Sequence, residues 1–188
     1  MTSRRRALVS PGFMVALVTA SLAFWAACLF ADGGGRTGVS TSANGCSCHG
    51  SSPNANGAVS ASLTGPQTVL AGSLSNYTIS VAGAPSGAAG GFNLKADGGT
   101  FTAGTGNKVS NGELTHSNNS SRSWSFKWTA PAIAGTYRFW AVGMTSNGSG
   151  TGGDSWNWYG GTVSTPFTIT VGAPIGDTAA PAAVTDLR

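Results

Sequence analysis

The stretch SWSFKWTAP, residues 123–131, permits one kind of local structure. Trp124, Phe126 and Trp128 fall on one side of an extended chain, with Ser125 and Lys127 on the other, because side chains alternate with a period of two along a strand. Pro131 follows the run, where a missing ladder donor does no harm. GTYRFWAVGM (135–144) alternates in the same way. There Tyr137, Phe139, Ala141 and Gly143 oppose Arg138, Trp140, Val142 and Met144, and the second set is apolar apart from Arg138. That pattern predicts a central strand covered on both faces. From Ala58 onward short runs of this type recur between clusters of Gly, Pro and Asn, which is the pattern of a sandwich.

The expected strands are Val59–Leu63, Ser75–Val81, Gly91–Lys95, Gly99–Thr102, Glu113–Thr115, Ser123–Trp128, Thr136–Met144 and Thr162–Val171. No window after residue 31 keeps a helical period, so a βαβ fold and its nucleotide sites are excluded. The fold class read from the residues is all-β, an Ig-like antiparallel β-sandwich of about seven to nine strands.

The N-terminus has a different character. Arg4, Arg5 and Arg6 precede an apolar run from Phe13 to Phe30 broken by Thr19 and Ser21, which reads as a signal peptide over residues 1–31. The run also reaches the lower limit for a membrane span, so an uncleaved anchor is the alternative. Ala26-Ala27-Cys28 has small residues suited to a lipoprotein signal, and Ser3-Arg4-Arg5 with Leu8 resembles a twin-arginine signal. Export places the protein in a secreted, periplasmic or cell-surface location. Beyond residue 31, seven Lys and Arg stand against six Asp and Glu. With no basic stripe, nucleic-acid binding has no electrostatic support. The expected partners are cell-surface components or redox proteins, with membrane contact only through the signal or an anchor.

Residues 32–57 form a Gly/Ser-rich segment without the large apolar side chains that a core needs. Such a segment must be held by the neighbouring domain or by a cofactor. The sandwich domain is assigned to 58–173. Residues 174–188 read as a linker, in which TAAPAAVTDL is similar to the entry of a fibronectin type III module.

The Gly/Ser-rich segment carries NGCSCHG, residues 44–50. Cys46 and Cys48 are the only cysteines after residue 31, and His49 is one of two histidines in the chain. Covalent c-type haem uses two thiols for two vinyl groups and a histidine directly after the second thiol for the iron, commonly spaced C-x-x-C-H. Here the Cys48-His49 pair is kept and the spacing is one residue shorter. At an α-helical period, cysteines two apart diverge by roughly 200°, so attachment through both requires non-helical backbone; a single thioether through Cys48 avoids that demand. Two other chemistries stay open. A Cys46–Cys48 bridge encloses one residue and would stabilise little while straining its own geometry. Zinc held by Cys46, Cys48, His49 and His116 has suitable donor types, with awkward adjacent ligands.

His116, in GELTHSNNSS, is the candidate distal ligand of a bis-histidine haem iron. The competing reading is a strand-end histidine whose ring satisfies backbone groups. Met144 is a second axial candidate that also fits a core position. In the glycine-rich stretch 147–161, Asp154 with Asn147 or backbone carbonyls has the donors of a Ca²⁺ site, and it equally suits a turn-capping carboxylate in a surface loop. Trp156, Trp158 and Tyr159 read either as an exposed platform or as packing over the sandwich end. No G-x-S-x-G elbow or nucleophile–base pair is present, so the chain reads as an electron carrier at most rather than an enzyme.

Taken together, GCSCHG, LTGPQTVLAGSLSNYTISV, GGFNLKADGGTF, GELTHS, WSFKWTAP, AGTYRFWAVGMTSNG and GGD resemble the choice-of-anchor V domain family of bacterial surface proteins, over about residues 36 to 171. GGFNL, THS and the W…AP piece are also similar to the Reeler domain. The resemblance implies a secreted Reeler-like β-sandwich with a Cys and Cys-His motif near its N-terminus and a variable C-terminal anchor. It implies no firm activity.

Overall fold

The computed structural model describes residues 33–50, 53–54, 58–87 and 89–174. The signal segment, and the linker beyond Pro174, lie outside the described residues. Among those described, the chain is all-β apart from one 3-10 turn, Ser47–His49. It has eleven strands: β1 (Val59–Thr64), β2 (Thr68–Leu70), β3 (Leu74–Gly83), β4 (Gly90–Ala96), β5 (Thr100–Thr102), β6 (Asn107–Ser110), β7 (Glu113–His116), β8 (Ser123–Thr129), β9 (Gly135–Thr145), β10 (Ser155–Trp158) and β11 (Phe167–Gly172).

Two sheets pack face to face. The smaller has the order β1-β3-β8-β5; the larger runs β2-β11-β9-β4-β7-β6, with β10 added to β9. Alternation in the sequence decides which side chains meet between them. Trp124, Phe126 and Trp128 of β8 all point inward and are buried, together with Tyr77, Ile79 and Val81 of β3. Facing them are Phe92 and Leu94 of β4, Phe139 and Ala141 of β9, and Phe167, Ile169 and Val171 of β11. Phe139 is the hub, with ring centroids 5.1 Å from Trp128 and 5.3 Å from Tyr77, both edge-on. Edge-on aromatic pairs of this kind add about 0.5–1.5 kcal/mol beyond area burial. At Gly143 the sheets come so close that an added Cβ would lie 2.5 Å from Val81.

β9 is central, as its two apolar faces predict. It pairs with β4 along one edge and with β11, then β10, along its other residues. Its inward face completes the core, while Val142 and Met144 face outward beneath a second cluster built on Trp156 and Trp158. The all-β sandwich is thus as expected, with differences in detail. Short strands β2, β6 and β10 raise the strand count above the expected seven to nine. β2 pairs with β11 in parallel, so the architecture is not wholly antiparallel. The strand expected over Thr162–Val171 begins only at Phe167, because Thr162 turns the chain by accepting from the Thr165 N–H and sharing hydroxyl contacts with Ser164 and Thr165. β10 lies inside the stretch read as a glycine-rich loop; Trp156 is buried there, which removes the exposed-platform reading of that ring.

Candidate functional site

The Gly/Ser-rich segment lies on the outer face of the larger sheet, and polar side chains of that face hold it. Asn93 in β4 accepts the backbone N–H groups of Val39 and Ser40 at 3.2 and 2.9 Å. Glu113 in β7 accepts from Gly38 N–H at 2.7 Å and from the Asn93 amide at 2.9 Å. A polar residue within an apolar strand is thereby explained, since a buried amide without partners would cost about 1–3 kcal/mol. The segment is held by its neighbouring domain, one of the two means expected for it.

β10 holds the cysteine turn. Asp154, directly before β10 and fully buried, receives the Nδ1 of His49 at 2.7 Å. Its other oxygen accepts the Asn147 N–H at 2.9 Å. Trp156 donates its indole N–H to the Gly50 carbonyl at 3.2 Å. Gly45 takes φ 48°, and a Cβ there would stand 2.3 Å from the Trp156 ring, so only glycine permits this approach. Asp154 is therefore not a solvent-facing loop residue: one carboxylate oxygen meets the imidazole and the other the Asn147 N–H.

Between the segment and the sheet lies a cavity of about 430 Å³ lined by Arg36, Cys46, Cys48, His49, His116 and Met144, with Gly90 and Gly91 on the sheet side. Its volume falls within the roughly 300–1,000 Å³ typical of small-molecule and cofactor pockets. The structure thus brings every haem-related residue singled out in the sequence to one cavity. The His49–Asp154 contact orients the ring: with Nδ1–H donating to the carboxylate, a neutral imidazole would present its Nε2 lone pair, an arrangement common to metal-ligating histidines. Gly91 makes room for the His116 ring, since a Cβ at that position would come within 2.6 Å of it. The cavity lining includes the adjacent Cys-His pair and a second histidine, donor types that a c-type haem uses.

The two cysteines behave differently. Cys48 lies within the 3-10 turn, whereas Cys46 is its N-cap, with φ −94° and ψ 39°. Cys46 packs against the Trp156 cluster. It is only partly buried, yet its thiol is pushed up to about 12, first by burial and then by the neighbouring Cys48, with Arg36 opposing. The two thiols are not bridged to one another. The four proposed zinc ligands border one cavity, but among the described residues no group of three or more His, Cys, Asp or Glu is arranged to hold a metal ion.

The raised thiol sets an alkaline limit. Cys46 rises from 9.0 to about 12 and the buried Tyr77 hydroxyl from 10.0 to about 12, the latter through burial. Both groups are charged when deprotonated, so the unfolded chain releases protons first and stability falls as pH rises from the unfolded value towards the folded one. In the thiol form, urea midpoints are expected to hold steady below pH 9 and then fall, by about 1.4 kcal/mol per pH unit for each ionising group. Cys46→Ala should delay the onset towards pH 10, and a wild-type profile flat to pH 11 would contradict this placement of the thiol.

His116 closes the far wall. The β4–β7 ladder ends at Asn93 and Thr115, and the His116 ring takes the next position. Its Nδ1 lies 3.0 Å from the Phe92 N and 3.2 Å from the Phe92 carbonyl oxygen. Inward it touches the Phe92 and Trp124 rings, each at a centroid distance of 6.3 Å. The strand-end reading, with a ring satisfying backbone, describes these contacts; the ring also borders the cavity that His49 lines.

Asn93, Glu113 and Arg122 were not singled out in the sequence. Arg122 donates to the carbonyls of Ala89, Gly83 and Pro85 at 2.8, 3.0 and 2.6 Å, tying together the loops beside the cavity. The only signal for Asn93 was a polar residue in the run GGFNLKA.

With this geometry the chain is an all-β sandwich protein whose outer sheet face is covered by a cysteine-bearing segment. No family model matches it, and no curated protein matches it. Among solved structures it is similar to the CARDB domain of a Pyrococcus furiosus protein, solved in complex with di-metal ions. The identity is 14%, covering 61% of this chain and 93% of that one, with a TM-score of 0.32. The fold assignment rests on the strands themselves.

Proposed function

We propose that the protein is an exported, cell-surface or periplasmic mono-haem c-type electron-transfer domain of the choice-of-anchor V type, with its cofactor in the cavity between the Cys-Ser-Cys-His segment and the larger sheet. The observation that carries this reading is the convergence of Cys46, Cys48, His49, His116 and Met144 on one cavity, with His49 oriented by the buried Asp154. When bound, a c-type haem supplies a one-electron iron couple. The residues would supply the rest: Cys48 would be the covalent anchor, His49 would offer Nε2 to the iron, and Asp154 would fix its tautomer and raise its basicity. Trp156 and Gly45 fix the turn. The sandwich is a rigid support, and no side chain is assigned a substrate-transforming role.

A haem-free surface interaction module is the competing reading, favoured by one observation: the His116 ring is already engaged by Phe92. Visible absorbance separates the two. Protein exported through a c-type maturation system is expected to show a Soret band that persists after acid–acetone extraction; a colourless product from a host that matures a control cytochrome would favour the interaction module.

A further inference from the structure

We infer that residues 33–40 form a lid over this cavity that opens by local unfolding while the cysteine turn stays in place. The inference goes beyond the haem reading and does not depend on it. The cavity has sides of different build. Gly90, Gly91 and Phe92 belong to the sheet, Arg36, Gly38 and Val39 to the arm 33–40, and Cys46, Cys48 and His49 to the turn. The turn is a fixed side. It closes on itself, with Ser47 N–H donating to the Asn44 carbonyl at 3.0 Å and His49 N–H to the Cys46 carbonyl at 2.8 Å. β10 and the residue before it then grip the turn: the buried Asp154 meets His49 at 2.7 Å, Trp156 donates to the Gly50 carbonyl, and Cys46 packs on the Trp156 cluster.

The arm is built otherwise. Its sequence, GGGRTGVS, has four glycines and one large apolar side chain, Val39. Glycine loses the most conformational freedom on ordering, and a single valine buries little apolar area in return. Side chains of the sheet, not ladder groups, hold the arm down. Gly38 N–H donates to Glu113 at 2.7 Å, and the Val39 and Ser40 N–H groups donate to the Asn93 side-chain oxygen at 3.2 and 2.9 Å. At the exposed edge the Asn111 amide donates to the Thr37 hydroxyl at 3.3 Å. Each of these replaces a bond to water by one to protein, so its net contribution is small. Ser40 works against closure. It is buried, and its hydroxyl has no hydrogen-bond partner among the described residues, so docking the arm takes that group out of water without compensation.

An arm held in this way opens at a lower free energy than the sheets it rests on, because lifting it leaves both sets of strand ladders whole. The hinge is the stretch from Ser42 to Gly45, where Gly45 N–H donates to the Ser42 carbonyl at 3.0 Å and Gly45 takes φ 48°. Opening there uncovers the cavity while Asp154 and Trp156 keep His49 and the cysteines where they are.

Residue-resolved native-state hydrogen exchange on the exported protein, at rising urea below its unfolding transition, tests this without reference to any occupant. The Gly38, Val39 and Ser40 amides are expected to exchange on the order of 100-fold or more faster than the β9 amides and with little urea dependence, as a local opening requires. The Ser47 and His49 amides should exchange more slowly than those of the arm. Arm amides with the rate and urea slope of β9 would show that the arm leaves only with the whole fold, and would overturn the lid. Exchange at the rate of an unstructured peptide would overturn it too, since no closed state would exist. Ser47 and His49 exchanging together with the arm would overturn the fixed turn. Two substitutions act in opposite directions. Asn93→Ala should speed Val39 and Ser40 relative to β9 by on the order of ten-fold or more, through loss of their acceptor. Ser40→Ala, which removes the unpartnered hydroxyl, should slow Gly38 and Val39 several-fold, by roughly the reverse of that effect, and leave β9 unchanged. Arm rates that are equal in wild type and both variants would overturn the inference.

Discussion

Cys48→Ala is expected to yield colourless apoprotein, whereas Cys46→Ala retains covalent haem. The asymmetry rests on the packing of Cys46 against the Trp156 cluster. Cys48 adjoins His49 and lines the same cavity. Cys48 would hold the group through a thioether, its thiol adding across a vinyl group with no change in oxidation state. Loss of haem from both variants would mean that both thioethers form and that the turn opens during attachment. Asp154→Ala offers an internal comparison: haem should still be attached through Cys48, while iron ligation by His49 weakens by roughly 10- to 100-fold, the usual cost of removing a second-shell carboxylate. Titration of the ferric protein with an exogenous imidazole would read that weakening directly.

Trp128→Ala is expected to cost about 3–5 kcal/mol, the range for deleting a buried tryptophan. Trp128 is fully buried, meets Phe139 edge-on at 5.1 Å and donates its indole N–H to the Gly98 carbonyl at 3.0 Å. Its removal opens a void at the hub of the core and orphans an acceptor, and neighbouring rings cannot collapse into the space without leaving their own contacts. Since domains of this size are stable by about 5–15 kcal/mol in total, a large part of the protein's stability would go. Chemical denaturation reads this as a lower midpoint at unchanged slope. A loss under 1 kcal/mol would mean that the β8 face packs less tightly than described.

What could be read from the sequence was whatever a strand's period of two exposes. Trp124, Phe126 and Trp128 on one face, and the double apolar set of β9, determine both sheets and the central strand, because each conflicts with any other backbone. The cysteine motif was legible as a cluster of donor types. Its supports were not: Asn93 and Glu113 act by satisfying backbone N–H groups from more than fifty residues away in the chain, and nothing local signals such a partner. β10 was hidden by surrounding glycines, which mark turns whether or not a strand lies between them. For the same reason Asp154 resembled a loop carboxylate, although its burial against His49 is settled only when the chain folds back. The placing of the His116 ring against Phe92 depends on where the β4–β7 ladder stops, a register property that periodicity does not carry.

The central claim is that the Cys-Ser-Cys-His turn and the outer sheet face together hold a covalent haem. Intact mass under denaturing conditions, on protein exported through a c-type maturation system, tests it most directly. The account predicts a species heavier than the polypeptide by one haem, with the added mass mapping to the peptide that contains Cys48. A mass equal to the bare polypeptide, or lighter by two protons from a bridge between Cys46 and Cys48, would contradict it.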